Sequence, residues 1–210
     1  MSSTPKKLPS IGSKQLFSQQ FKEWLDNNDK KTLGSLEMIF EERGFAVAIL
    51  FLMFIPALPL PTGGVTHVFE LIVMLLSLEM IVGMKTLWLP KSWRKKEFGE
   101  MFQKKTIPFM IDRIQWFEKF SRPRLRGLIN NFYFTRLAGA IFFTLALSAF
   151  LAPPFSGLDT IPSLGAVVVA LGLIFSDSLL FLFGCVVGVA GIGLVIAFGE
   201  ITVNIFRYFF

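Results

Sequence analysis

Five ionisable side chains stand inside otherwise apolar stretches of this chain: His67, Glu70, Glu79, Asp159 and Asp177. Burying charge in hydrocarbon is expensive, so each is a functional candidate by default. His67 and Glu70 are three residues apart and share one face of a helix. A carboxylate with an imidazole one turn away can hold or relay a proton. The bland alternative is an acid complementing a helix N-terminus beside an interfacial histidine. Asp159 is placed to cap a helix starting at Pro162, and Asp177, in "FSDSLL", to N-cap a helix over 179–198. Glu79 falls near the far end of its helix, beside Lys85. Arg43 and Arg136 each precede an apolar stretch, either as snorkelling anchors or as partners for an anion or an acid. Other chemistry has little support. The single histidine and the single cysteine, Cys185, are 118 positions apart, so no disulfide within the chain, thiolate cluster or Cys/His nucleophile is expected. HExxH, GxSxG, P-loop and dinucleotide fingerprints are absent. No catalytic residue, metal or cofactor is expected, and no enzyme.

These residues need elements to hold them. Residues 44–83 are apolar, and one helix of that length would overshoot a bilayer about twofold. The stretch "FIPALPLPTGGVTHVFE" breaks it. Pro56, Pro59 and Pro61 remove backbone donors, and Gly63 and Gly64 permit a turn. Helices over 44–58 and 65–83 follow. A second apolar block, 137–199, is broken at "APPFSGLDTIP" and again at "FSDS". Of its three runs, 137–151, 163–175 and 179–198, only the last is comfortably a full span, and the shorter two favour half-helices or a re-entrant pair. Gly184 and Gly188 form a GxxxG face in the last run, suited to close helix packing within the protomer or in a homodimer.

A shift of 93 residues superposes the two breaks. Arg43 falls on Arg136, Pro61 on Pro154 and Gly64 on Gly157. Two broken-helix repeats are expected, parallel or inverted. Paired interruptions of this kind point to a transporter site, where freed backbone groups face a cavity. Ordinary hairpin turns at the membrane surface are the competing reading. The binding candidates are therefore Pro61, Gly63, Gly64, His67, Glu70, Pro154, Gly157, Asp159, Asp177, Arg43 and Arg136.

The charge is uneven. Residues 1–43 hold seven basic and six acidic side chains, 85–136 thirteen and four, and 137–210 one and three. The net charge of +6 is thus the work of the middle segment. There Trp88, Trp93 and Trp116 are interleaved with Lys and Arg, the pattern of an interfacial belt on an anionic leaflet. Nucleic acid is not expected, since no groove-reading or stacking motif is present. The positive-inside rule makes 85–135 cytoplasmic. Residues 1–11 read as disordered, and 12–28 as an amphipathic helix lying on the membrane or on the body of the protein. Thr32 or Ser35 would N-cap a following helix. The chain divides into a polar N-terminal part (1–42), a first membrane repeat (43–84), a basic segment (85–135) and a second repeat with a terminal transmembrane helix (136–210).

The stretches "ERGFAVAILFLMFIPALPLPTGGVTHVFELIVMLLSLEMIVG", "LWLPKSW", "FSRPRLRGL" and "PSLGAVVVALGLIFSDSLLFLFGCVVG" resemble the exopolysaccharide synthesis ExoD family from about Thr32 to Gly199. Two departures stand out. Asp159 lies where a plainer Pro- and Asn-containing turn is usual. "IFSDS" keeps Asp177 but loses its charged neighbours. The resemblance implies a multi-pass bacterial inner-membrane protein linked to exopolysaccharide production, and it names no reaction. The expected fold is an all-α polytopic membrane bundle with amphipathic interfacial helices. The expected function is transporter-like, with a non-transporting scaffold or regulator of polysaccharide-synthesis proteins as the alternative.

Overall fold

The structure, a computed structural model, describes residues 16–27, 31–32, 34–35, 43–59, 65–84, 87–88, 97, 99, 102–122, 124, 131–153 and 156–209. Among them are seven α-helices and no β-strand. In chain order these are α1 (Phe17–Asp26), α2 (Gly44–Phe54), α3 (Val65–Val82), α4 (Ile107–Phe120), α5 (Phe132–Leu151), α6 (Thr160–Phe175) and α7 (Ser178–Phe209). A π-helical turn, Phe102–Thr106, leads into α4.

Helices α2, α3, α5 and α6 close a ring. α3 packs on α5 and α6 on α2, while α2 also touches α3 and α5 touches α6. The break after α2 continues as turns through Leu58, with Ala57 N–H donating to Met53 at 3.0 Å. Both helix pairs open and close at one end of this ring. Arg43, just before α2, donates to the Ile174 carbonyl near the end of α6. Arg136, in the first turns of α5, donates to the Val82 carbonyl at the end of α3 at 3.1 Å. Cations suit these positions because the last carbonyls of a helix are unpaired and its dipole is negative there. The two helix ends close alike. Met84 N–H bonds Glu79 O at 3.0 Å, and Asp177 N–H bonds Gly172 O at 2.8 Å. The residue between carries a positive φ in each: Gly83 at 92° and Ser176 at 58°. This is a left-handed helix stop, natural for glycine and less so for serine.

α7 lies antiparallel on α6, and small residues set the distance. A Cβ on Gly165 would stand 2.5 Å from Gly188 Cα, and one on Gly184 would stand 2.5 Å from Val169 N. Gly188 also meets the Leu145 side chain of α5. The GxxxG face is therefore used within the protomer. The outer face of α7 is a different matter: Leu182, Phe183, Val186, Val189 and Ile196 are exposed, as are Val68, Leu71, Leu75 and Leu78 on α3. Apolar faces of this extent are unusual in water and ordinary in lipid. Two helices, Phe132–Leu151 and the Ser178–Ile201 part of α7, are long and apolar enough to cross a membrane. The run 137–151 was expected to be too short. It is the inner part of a 20-residue helix, because residues 132–136 are helical too. Asn131 caps it by accepting from Tyr133 N–H at 3.1 Å.

α1 and α4 cover the α2 side of the ring. Phe21 rests edge-on against Phe51, with ring centroids 4.9 Å apart. Ile107, Met110, Ile111 and Ile114 of α4 are buried. Glu118 on α4 caps α1, accepting from the Phe17 N–H at 2.7 Å. Of the two placements open for the first amphipathic helix, the body of the protein is the one observed. Thr32 and Ser35 exchange hydrogen bonds, the Thr32 hydroxyl accepting from Ser35 N–H at 3.1 Å, and Ser35 Oγ accepting from Thr32 N–H at 3.1 Å.

Candidate functional site

At the far end of the ring, where the breaks lie, the structure buries a carboxylate among apolar helices. Glu70 sits in the second turn of α3 and is 0% exposed. Its neighbour is His67, whose Nδ1 lies 3.4 Å from Glu70 Oε2. The His67 ring in turn leans on Phe150 of α5, 5.4 Å between centroids. Neither carboxylate oxygen of Glu70 makes a hydrogen bond, nor does His67 Nδ1. Two more buried polar atoms are in the same condition: Ser148 Oγ on α5 and Ser163 Oγ on α6.

Helix register puts these groups at one height. Gly139 on α5 lies against Ser77, Met80 and Ile81 of the antiparallel α3. Counting back from there brings Ser148 level with Glu70, and the His67–Phe150 contact agrees. On the other side, Gly188 of α7 touches both Leu145 of α5 and Gly165 of α6. That makes Ser148 level with Pro162 and Ser163. So α3, α5 and α6 each contribute, at the same depth, a polar side chain that makes no hydrogen bond. An unpaired buried hydroxyl costs about 1–3 kcal/mol, and an unpaired buried carboxylate more. Serines in helices ordinarily bond the carbonyl one turn back, as Ser77 does to Val73 at 2.7 Å. Ser148 and Ser163 do not.

The other candidate residues divide by location. Asp159 is the N-cap residue of α6, one turn before Ser163, but its side chain makes no capping bond. The helix begins at Thr160, two residues before the expected start at Pro162. Asp159 is half-buried and close enough for its charge to act on Glu70. Gly157 has a φ of 68° in the turn before it, with open space around it. Pro61, Gly63, Gly64 and Pro154 lie outside the described residues. Arg43, Arg136 and Asp177 are at the opposite end of the ring. The two arginines cap helices, and Arg136 also covers the Phe132 ring at 3.9 Å.

Asp177 is a structural junction. Its Oδ1 accepts from Leu179 N–H at 3.0 Å, capping α7. Its Oδ2 accepts from Arg122 N–H at 2.7 Å and from Ser121 Oγ at 3.2 Å. Arg124 Nη1 donates to Oδ1 at 3.1 Å. Burial alone would raise its pKa. The hydrogen bonds from Arg122, Leu179, Leu180 and the Arg124 guanidinium outweigh it and hold the carboxyl below the ordinary aspartate value. Glu79 accepts from Trp88 N–H at 2.9 Å at the same end.

A separate cavity of about 210 Å³ opens between α2, α4 and α6, lined by Leu50, Phe54, Met110, Arg113, Leu164 and Leu171. It is apolar and does not reach Glu70. Among the described residues no three His, Cys, Asp or Glu side chains are grouped to hold a metal. Sequence reasoning singled out His67 and Glu70 but missed Ser148 and Ser163. Their signal, a polar residue at the height of the acid, depends on helix register and was not visible along one chain.

Residues 17–197 match the family described as exopolysaccharide synthesis, ExoD. The uncharacterized protein slr1875 of Synechocystis sp. (strain ATCC 27184 / PCC 6803 / Kazusa) is 24% identical over 197 residues, covering 91% of each chain. No solved structure matches this chain.

Proposed function

The chain belongs to the exopolysaccharide synthesis ExoD family, and on that premise we propose that it is a multi-pass protein of the bacterial inner membrane that moves or gates an ion, a small solute or a lipid-linked intermediate needed for polysaccharide output. The observation that carries this reading is Glu70: a carboxylate with no exposure and no hydrogen bond, beside the breaks of two helix pairs. Acids buried in membrane bundles mark ion and proton pathways, and broken helices mark transport sites. His67 and Glu70 bear the charge or the proton. The matched arginine caps and left-handed stops 93 residues apart support reading the two helix pairs as parallel repeats. The N-terminus and the basic segment face the cytoplasm in this reading, next to anionic lipid. No catalytic step is assigned.

The rival is a membrane scaffold or regulator for polysaccharide-synthesis enzymes. The exposed basic side chains of α4 and its lead-in, Lys104, Lys105, Arg113 and Lys119, favour it. Thiol accessibility separates the two. Single cysteines across 54–70 and 150–162, in a Cys185→Ser background, are treated with an impermeant reagent. Labelling deep into both breaks supports a transport site. Labelling confined to the turn tips supports the scaffold.

A further inference from the structure

The groups at the Glu70 level share a property that a proton alone does not answer. Glu70 Oε1, Glu70 Oε2, Ser148 Oγ and Ser163 Oγ are four buried oxygens, and none makes a hydrogen bond; the nearest charged group is His67, whose Nδ1 lies 3.4 Å from Glu70 Oε2. Glu70 and Ser163 are 0% exposed and Ser148 is 8% exposed. They come from three different helices and lie at one height. A proton between Glu70 and His67 would satisfy one carboxylate oxygen and one ring nitrogen. It would leave the other oxygen and both hydroxyls unmet.

We propose that Glu70, Ser148 and Ser163 form a binding site for one dehydrated monovalent metal cation, of which sodium is the best match. Hard cations take oxygen ligands, and carboxylate and hydroxyl oxygens are what these helices offer. The charge also balances. Glu70 brings one negative charge into apolar surroundings, and a single positive charge neutralises it without remainder. A divalent ion would need a second buried carboxylate. Asp159 is half-buried instead, near enough for its charge to act on Glu70 and to draw a cation toward it. The end of α5 adds to this: its dipole is negative at the height of Ser148. Among the described residues α2 and α5 bring no titratable side chain to this level. His67 on α3 and Asp159 on α6 are the titratable neighbours, His67 Nδ1 lying 3.4 Å from Glu70 Oε2.

This deepens the proposed function and rests on the same centre, by naming the cation that such a site would hold. The test is a melting curve of the full chain in lipid nanodiscs, with sodium chloride replacing choline chloride at constant ionic strength. The expected result is a saturable rise in the melting midpoint with sodium and a smaller rise with potassium. Glu70→Gln abolishes the sodium response while the variant still melts cooperatively. Ser148→Ala and Ser163→Ala each raise the half-saturating sodium concentration, by roughly three- to tenfold. Absence of a sodium response in the wild type, or its persistence in Glu70→Gln, overturns the assignment. A midpoint that depends on pH through Glu70 but not on sodium overturns it in favour of a proton site, and the transport reading survives. If sodium binds through Glu70 but Glu70→Gln leaves polysaccharide output intact, the cation site stands and the transport reading falls.

Discussion

The two ends of the four-helix ring treat charge in opposite ways. At one end Arg43, Arg136 and Asp177 all sit on helix termini and are hydrogen-bonded. At the other end Glu70, Ser148 and Ser163 are buried and make no hydrogen bond. Both ends are built from the same two helix pairs, so the difference is not one of fold. It separates polar groups that hold the bundle together from polar groups that the bundle holds ready. A buried, fully bonded carboxylate such as Asp177 is explained by the structure around it. Glu70 is not, and that asymmetry is the main argument that the break end binds something.

The comparison can be broken by mutation. The largest effect is expected where backbones touch. Gly165→Leu forces a side chain into Gly188 and must part α6 from α7, lowering stability by about 3 kcal/mol or more. Folded yield and reversible unfolding in mixed micelles measure it. Next comes the partnered end. Asp177→Asn removes the charge from this hydrogen-bond network and should cost about 2 kcal/mol. Output should fall only as far as folded protein falls. The pH dependence has a definite sign. The folded Asp177 pKa lies below its ordinary value of 3.8, so its contribution is complete above that value and is lost as pH falls through the depressed one. Wild-type stability should therefore drop below about pH 4 by an amount that Asp177→Asn does not show. The smallest expected effect is a gain. Ser176 holds a φ of 58°, and Ser176→Gly should stabilise the helix stop by about 1 kcal/mol.

What could be read along the chain was whatever depends on neighbours in sequence. The proline and glycine break after α2, the Asp177 cap, the His67–Glu70 pair and the small-residue face of α7 are all local patterns. The helical, apolar character of the fold follows from the same patterns. The remainder is long-range. Arg43 and Arg136 were read as anchors or anion partners, but each caps a helix of the other pair, across 131 and 54 residues. The basic stretch around Arg122 and Arg124 read as a membrane belt, yet part of it docks on Asp177, 55 and 53 residues away. Ser148 and Ser163 gave no signal, because a serine in an apolar helix normally bonds its own backbone. Only the register between helices shows that these two do not and that they stand level with the acid.

The most direct test of the account is Glu70→Gln in a strain that depends on this protein for exopolysaccharide, measuring output and folded protein together. Removing a buried charge that makes no hydrogen bond should leave stability within about 1 kcal/mol of wild type or raise it. The account predicts folded protein at wild-type level with polysaccharide output lost. A folded Glu70→Gln protein that restores full output would contradict it.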